Sequence, residues 1–335
     1  MTYPWLVPLW QRLSAQPERL PHALLLEGPR GIGKRDFALA FAHALLCETP
    51  VQDGHACGQC VACHWLAQDS HPDFRLLEPL TAEEKGEEEG ATAEEGPPKR
   101  KKYEITIAQV RALADFVNLS SHRAGSRVVI IHPAEALNPA ASNALLKTLE
   151  EPSPNTHFLL VSHQPHFLLP TIKSRSFSLS MPQPSPSQAA AWLKDQGIHE
   201  AELCLALAGG APLLAREFAD ADYLKERRLF LSALQAPKQL NWLALAEQGA
   251  RADLAARIDW LQKWLYDLVS SRLARQVRYN VDFASGLQDL AARVNLSRVQ
   301  QFARELAQIK RRLQHPLNPQ LLLESVLLSY LTAVN

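Results

Sequence analysis

The sequence has no excess charge of either sign: 35 lysines and arginines are matched by 35 aspartates and glutamates. A neutral chain lacks the broad positive field behind strong non-specific nucleic-acid binding, so any meeting with DNA is expected inside an assembly. No apolar run approaches the roughly 18 residues that a membrane span requires. The opening MTYPWLVPLWQR has no cationic stretch leading into an apolar signal core. A cytoplasmic protein without membrane contact is therefore expected. Hydrophobic residues make up 47% and charged residues 21%, which excludes a disordered or fibrous chain. At 335 residues the chain exceeds what one hydrophobic core usually supports, so two or three domains are expected.

Three further absences concern chemistry. Ala23, Leu24, Leu25 and Leu26 read as a buried strand, a glycine-rich turn follows, and residues 36–46 have helical character. In that turn Gly28, Gly31, Gly33 and Lys34 supply most of a phosphate loop, where glycines let backbone N–H groups face phosphate oxygens and the lysine reaches the terminal phosphates. The next position calls for Ser or Thr, whose hydroxyl ligates magnesium. Arg35 stands there, and a guanidinium has no acceptor atom to offer a metal. A second strand, Val128 to Ile131, should end in one acid for the metal and one for the attacking water. His132 and Pro133 occupy those places, and Glu135 lies two residues out of register. The loop thus reads as degenerate, with weak ATP binding or none.

Cysteine is scarce but crowded. Of five, Cys47, Cys57, Cys60 and Cys63 form C-x9-C-x2-C-x2-C. In a reducing compartment such crowding favours metal over disulfide, and four thiolates complete a closed tetrahedral zinc site with no open position for catalysis. His55 and His64 lie near enough in sequence to replace a thiolate. Cys204, in ELCLALA, reads as a small core residue on a helix.

Strands alternate with helices up to about residue 182, the pattern of an α/β layer with a mainly parallel sheet. Beyond it only helical periodicity remains. MPQPSPS, at 181–187, carries three prolines and reads as a linker. A weaker break at 218–223 divides the helical remainder. Three domains are expected: 1–182 with the cysteine module at 47–63, a small helical domain at 184–220, and an all-helical domain at 221–335. Within the first, residues 81–102 hold seven glutamates followed by Lys99, Arg100, Lys101 and Lys102. With almost no apolar residues this segment reads as a mobile surface insertion.

The run NALLKTLEEPSP at 143–154, the strand FLLVS and the segment TIKSRS at 171–176 resemble the clamp-loader branch of the AAA+ ATPases. Tyr3-Pro4-Trp5-Leu6, the cysteine cluster and the eroded phosphate loop narrow the match to bacterial loader subunits that have lost their own chemistry. The resemblance implies an N-terminal AAA+ domain of RecA-like P-loop fold, a helical lid domain and a C-terminal collar that oligomerises. It implies partners as well: gamma or tau ATPase subunits, a delta subunit, and through the complex the sliding clamp and primed DNA. The chain would be a stator-like component of DNA polymerase III holoenzyme, a DNA-directed DNA polymerase, without catalysis of its own. Ser174-Arg175-Ser176 matches the family motif in its serine and arginine and departs in its last residue. In that motif the arginine reaches ATP on the adjacent subunit, so Ser174 and Arg175 are the candidate residues acting in trans. The second ATP-sensing arginine of the family would fall near Pro212 and is missing. Two alternatives stand behind this reading: an active ATPase subunit of the same loader, which would need Ser or Thr at position 35 and acids at 132 and 133, and a zinc-containing nucleoside or nucleotide kinase, which predicts neither the long helical C-terminal part nor Ser174-Arg175.

Overall fold

The computed structural model describes residues 3–16, 19–80, 104–118, 125–250, 253–312 and 318–335. The charged insertion expected at 81–102 lies outside them. The chain forms two compact units, Met1–Pro184 and Ser185–Asn335.

The first unit begins with a 3-10 turn at Pro4–Leu6 and the helix α1, Val7–Ser14. Strand β1 is Ala23–Glu27, followed by α2, Lys34–Leu46, and α3, Val61–Ala67. Strand β2, Phe74–Leu77, and helix α4, Ile107–Asn118, lead to β3, Arg127–Ile131. Helix α5, Pro139–Glu150, starts where sequence places it: Pro139 is the first helical residue, and Asn138 Oδ1 accepts the N–H of Ala141 at 2.8 Å. Then come β4, Thr156–Ser162, the one-turn α6, Pro170–Ser174, and β5, Phe177–Ser180.

All strand pairings are parallel, in the order β2-β3-β4-β1-β5. The inner strands are apolar on both faces because both are covered. Leu25 and Leu160, paired in register, share one face with Val129 and pack against α4 and α5 through Val110, Leu113, Leu145 and Leu149. The opposite face lies under α2, whose Phe37, Ala38, Phe41 and Ala42 are buried. This sheet, its glycine loop after β1 and the inserted cysteine segment bear out the α/β AAA+ fold expected from sequence. Parallel strands bring all their carboxyl ends to one edge of the sheet, which is where open α/β sheets bind ligands.

The second unit is helical. It comprises α7, Pro186–Asp195, α8, Ala201–Leu207, α9, Pro212–Glu217, α10, Ala221–Gln235, and α11, Trp242–Ala250. The remainder is α12, Leu254–Ala274, α13, Ala284–Arg293, α14, Leu296–Arg312, and α15, Pro319–Val334. The proline-rich stretch read as a linker is partly helix. Ser185 and Gln188 form a reciprocal capping box and Pro186 is the first helical residue of α7. Two apolar clusters fill the unit. One gathers Leu193, Cys204, Leu207, Ala215 and Leu224; the other gathers Phe230, Trp260, Trp264, Leu327 and Tyr330. Cys204 is fully buried on α8, as its apolar surroundings in sequence suggested.

The larger cluster carries a buried polar knot. Asp267 of α12, fully buried, accepts the backbone N–H groups of Arg278, Tyr279 and Asn280 at 2.8, 3.1 and 2.7 Å. Asn280 Oδ1 accepts from the buried Arg227 of α10 at 2.7 Å, and Arg227 also pairs with both oxygens of Asp282. The carboxylate thus satisfies three successive backbone N–H groups and fixes the turn between α12 and α13. Asp267→Ala would orphan several buried N–H groups and is expected to cost about 3 kcal/mol or more. Denaturant unfolding measures that loss, and fast hydrogen exchange at residues 278–280 locates it.

Candidate functional site

The phosphate loop has the strand–turn–helix geometry that its spacing implies. Gly33 is the N-cap of α2 with φ +90°, a left-handed conformation that favours glycine. The lysine, however, turns inward. Lys34 Nζ donates to the loop carbonyls of Gly28 and Pro29 at 2.7 and 2.6 Å, and its side chain is buried. Burial pushes its pKa down to about 8 against an opposing pull from Glu135.

The N-terminal residues close over the same loop. Trp5 donates its indole N–H to the carbonyl of Ile32 at 2.9 Å, and the Tyr3 hydroxyl donates to Asp36 Oδ2 at 2.5 Å. The Tyr3 ring lies so near Gly33 that a Cβ there would sit 2.3 Å from it. The stacked rings of Tyr3 and Trp5 therefore stand where a side chain, or a phosphate approaching the Gly33 edge, would need room.

In place of the magnesium ligand and the two acids, the strand ends carry a closed hydrogen-bonded chain. Arg35 donates from Nε and NH2 to the two oxygens of Glu78 at 2.7 and 3.0 Å. Glu78 lies just past β2, and its Oε1 also meets His132 Nδ1 at 2.8 Å. His132 Nε2 faces His163 Nε2 at 3.3 Å, just past β4. The His132 hydrogen bond, reinforced by Arg35, holds the Glu78 carboxyl down at about 2 despite its partial burial. Burial, and then electrostatic repulsion within a cluster of Lys34, His132 and Arg30, push His163 down to about 3. Glu135 accepts the backbone N–H of His163 at 2.9 Å, so its Oε1 caps a strand end. Sequence reasoning passed over Glu78 and His163. The available signal was their position: each immediately follows a parallel strand, at the sheet edge where ligands bind.

The four cysteines converge. The Sγ atoms of Cys47, Cys57, Cys60 and Cys63 all lie within 4.8 Å of one another, and three pairs are separated by 3.7, 3.9 and 3.9 Å. All four are free thiols, and those separations are far beyond a disulfide bond of about 2.05 Å. Tetrahedral thiolates about 2.3 Å from a zinc ion would lie about 3.8 Å apart. The donor set therefore fits a metal ion of zinc's kind. Backbone N–H groups already point at the sulfurs, with Cys57 N directed to Cys47 Sγ at 3.3 Å and Cys60 N to Cys57 Sγ at 3.3 Å. The Thr49 hydroxyl, followed by the Gln59 and Cys60 amides, brings the Cys57 thiol down to about 6. Burial and the neighbouring thiols push Cys63 up to about 12. Among the described residues neither His55 nor His64 joins the cluster. His55 stacks on Trp10 and His64 is exposed.

Arg175 follows α6 directly and is about one-third exposed. Its Nε donates to Glu150 Oε1 at 2.6 Å, its NH2 pairs with the same carboxylate, and its NH1 donates to the Thr171 carbonyl at 3.1 Å. Ser174 Oγ donates to Thr171 O at 3.0 Å and lies 3.3 Å from Arg175 NH1. The guanidinium is thus held within its own chain, at the end of α5. Pro212 is the first residue of α9.

A family model described as "DNA polymerase III, delta subunit" matches residues 6–185, and its C-terminal counterpart matches residues 221–332. The DNA polymerase III subunit delta prime of Pseudomonas aeruginosa is 38% identical over 277 residues, 81% of this chain and 78% of that protein. That of Yersinia pestis is 33% identical, covering 99% of this chain and 96% of its own. Among solved structures, a DNA polymerase III gamma subunit-related protein from Thermotoga maritima is similar with TM-score 0.45 and 17% identity, over 97% of this chain and 99% of that one. The matches at both ends of the sequence, and identities above 30% over nearly its full length, place the chain in the delta prime subunit family of the DNA polymerase III clamp loader.

Proposed function

We propose that the chain is the stator-like, non-motor subunit of a bacterial clamp loader, helping to load the sliding clamp onto primed DNA without hydrolysing ATP itself. The chain from Arg35 through Glu78 and His132 to His163 carries this reading. Phosphoryl transfer needs a metal held by a hydroxyl and an acid, and a group that orients water. Here those positions satisfy one another, and Lys34 is spent on its own loop. The alternative of an active ATPase subunit would need that network opened and its missing ligands supplied, and nothing in the geometry favours a kinase.

The partners proposed are gamma or tau ATPase subunits and a delta subunit, with clamp and primed DNA met through the complex, in the cytoplasm. Among the described residues no helix is long and apolar enough to cross a membrane. A three-part organisation, 1–182, 184–220 and 221–335, belongs to the same proposal, the last part serving as the oligomerising collar. The smaller apolar cluster draws mainly on residues before 220, with Leu224 joining it and Tyr223 packed against both clusters.

Arg175 is the proposed arginine finger, acting in trans on ATP held by the neighbouring subunit, with Ser174 in the same motif. A planar guanidinium can stabilise charge on γ-phosphate oxygens bidentately. Its pair with Glu150 is partly exposed, and such pairs are worth about 1 kcal/mol or less, so a phosphate can displace the carboxylate. In a reconstituted loader, Arg175→Ala is expected to leave the chain folded and incorporated while lowering DNA- and clamp-stimulated ATP hydrolysis and clamp loading. Fingers are worth roughly a thousandfold or more at their own site, diluted in bulk by sites that do not face this subunit. Unchanged rates of ATPase and loading would refute the assignment.

The metal proposed for Cys47, Cys57, Cys60 and Cys63 is one structural zinc per chain, its chemistry limited to cross-linking the four thiolates. Binding must displace protons from thiols such as Cys63, held near 12 without metal, so apparent affinity is expected to weaken as pH falls from about 8 to 6. Competition with a chelator at several pH values measures this, and an affinity independent of pH would count against thiolate ligation.

A further inference from the structure

The cysteine module packs on α1, and the phosphate loop meets the residues that lead into that helix. Trp10 of α1 is buried, and its indole N–H donates to the carbonyl of Asp53 at 3.0 Å. Asp53 belongs to the loop between Cys47 and Cys57. From that loop His55 stacks flat on the Trp10 ring, 3.9 Å between centroids and 13° between planes. Gly54 presses against Ser14 at the end of α1: its φ is +78°, and a Cβ there would lie 2.7 Å from the serine Cβ. At the start of α1 the chain reaches the phosphate loop through Trp5, bonded to Ile32, and Tyr3, lying against Gly33.

The loop at 51–55 contains no helix or strand, and its own hydrogen bonds run from Val51 N–H to His55 O, Gly54 N–H to Val51 O and, at 3.4 Å, His55 N–H to Asp53 Oδ1. What pins its ends is the convergence of Cys47 and Cys57. Helix α1 has eight residues, too few to be stable alone, so its position depends on what packs around it. On one side Trp10 meets Phe37 and Phe41 of α2 edge-on, at 5.8 and 5.7 Å. On the other side the cysteine-bracketed loop takes its N–H and stacks on its flat face.

We propose that the metal module is a strut: by fixing the loop at 51–55 it braces α1, and α1 in turn seats Tyr3 and Trp5 on the phosphate loop, keeping that loop shut. This rests on the reading that the four cysteines hold zinc. It gives the module a task inside its own unit, since the same cross-link that orders 47–63 also settles whether the first residues lie on Gly33. Losing the metal would free one face of Trp10 while leaving the Phe37 and Phe41 face in place. The N-terminal segment and the loop would loosen ahead of the sheet.

Hydrogen exchange of the full chain, with zinc content measured in parallel, tests this. Removing zinc with a chelator is expected to speed exchange at residues 5–14 and 32–37 by about tenfold or more, equivalent to about 1.4 kcal/mol. Residues 128–131 and 158–161 of the central strands should change little. Trp10→Phe keeps an apolar ring but loses the N–H donor. With zinc still bound, it should loosen the same segments by a smaller factor. Unchanged exchange at 5–14 and 32–37 after zinc loss would overturn the strut, whatever happens at 47–63. So would equal loosening of the central strands, which would make the module a support for the whole unit. Absence of zinc from the untreated protein would overturn the zinc reading and the strut with it.

Discussion

Glu78 is the group on which the rest of the site depends. One carboxylate, placed at the end of β2 by a parallel sheet, accepts both Arg35 and His132. A guanidinium at the magnesium position would otherwise lose its bidentate partner, and His132 Nδ1 would lose its partner at the end of a buried strand. The pairing turns three departures from a hydrolytic pattern into one coherent arrangement. It is also partly exposed and shared, so its value is local order more than global stability.

The same economy applies to Lys34 and Arg175. In each case a cation suited to phosphate is engaged by its own chain, but the settings differ. Lys34 is buried and donates to two carbonyls of its own loop. Arg175 is at the surface, beside a carboxylate that solvent screens. Burial makes the first arrangement hard to exchange and exposure makes the second easy. A chain that had kept its fold while giving up its own ATP, yet still served a neighbour's, would be expected to differ in that way.

Much of this is legible in the sequence wherever the determinants are local. Glycine spacing between an apolar strand and a helix locates the phosphate loop, C-x9-C-x2-C-x2-C locates a converging set of thiols, and Asn138-Pro139 marks a helix start. The apolar runs at 128–131 and 158–161 are strands because parallel strands are covered on both faces. What escapes is pairing at a distance. Arg35 and Glu78 are separated by 43 positions, and Glu150 and Arg175 by 25. No periodicity links such residues; only the sheet order does. Pro186 departs from expectation for a different reason: three prolines suggest a break, but Ser185 and Gln188 form a capping box around the third. The contact of Trp10 with the cysteine loop is likewise invisible until the fold brings α1 beside residues 53–55.

If this nucleotide site is closed and the chain acts through another subunit's ATP, equilibrium titration of the isolated chain with ATP, with and without magnesium, should show no saturable magnesium-dependent binding and no turnover, because Arg35, Glu78 and His132 occupy one another and Lys34 is bound to its own loop. Magnesium-dependent binding accompanied by steady hydrolysis, both abolished by Lys34→Ala, would contradict it.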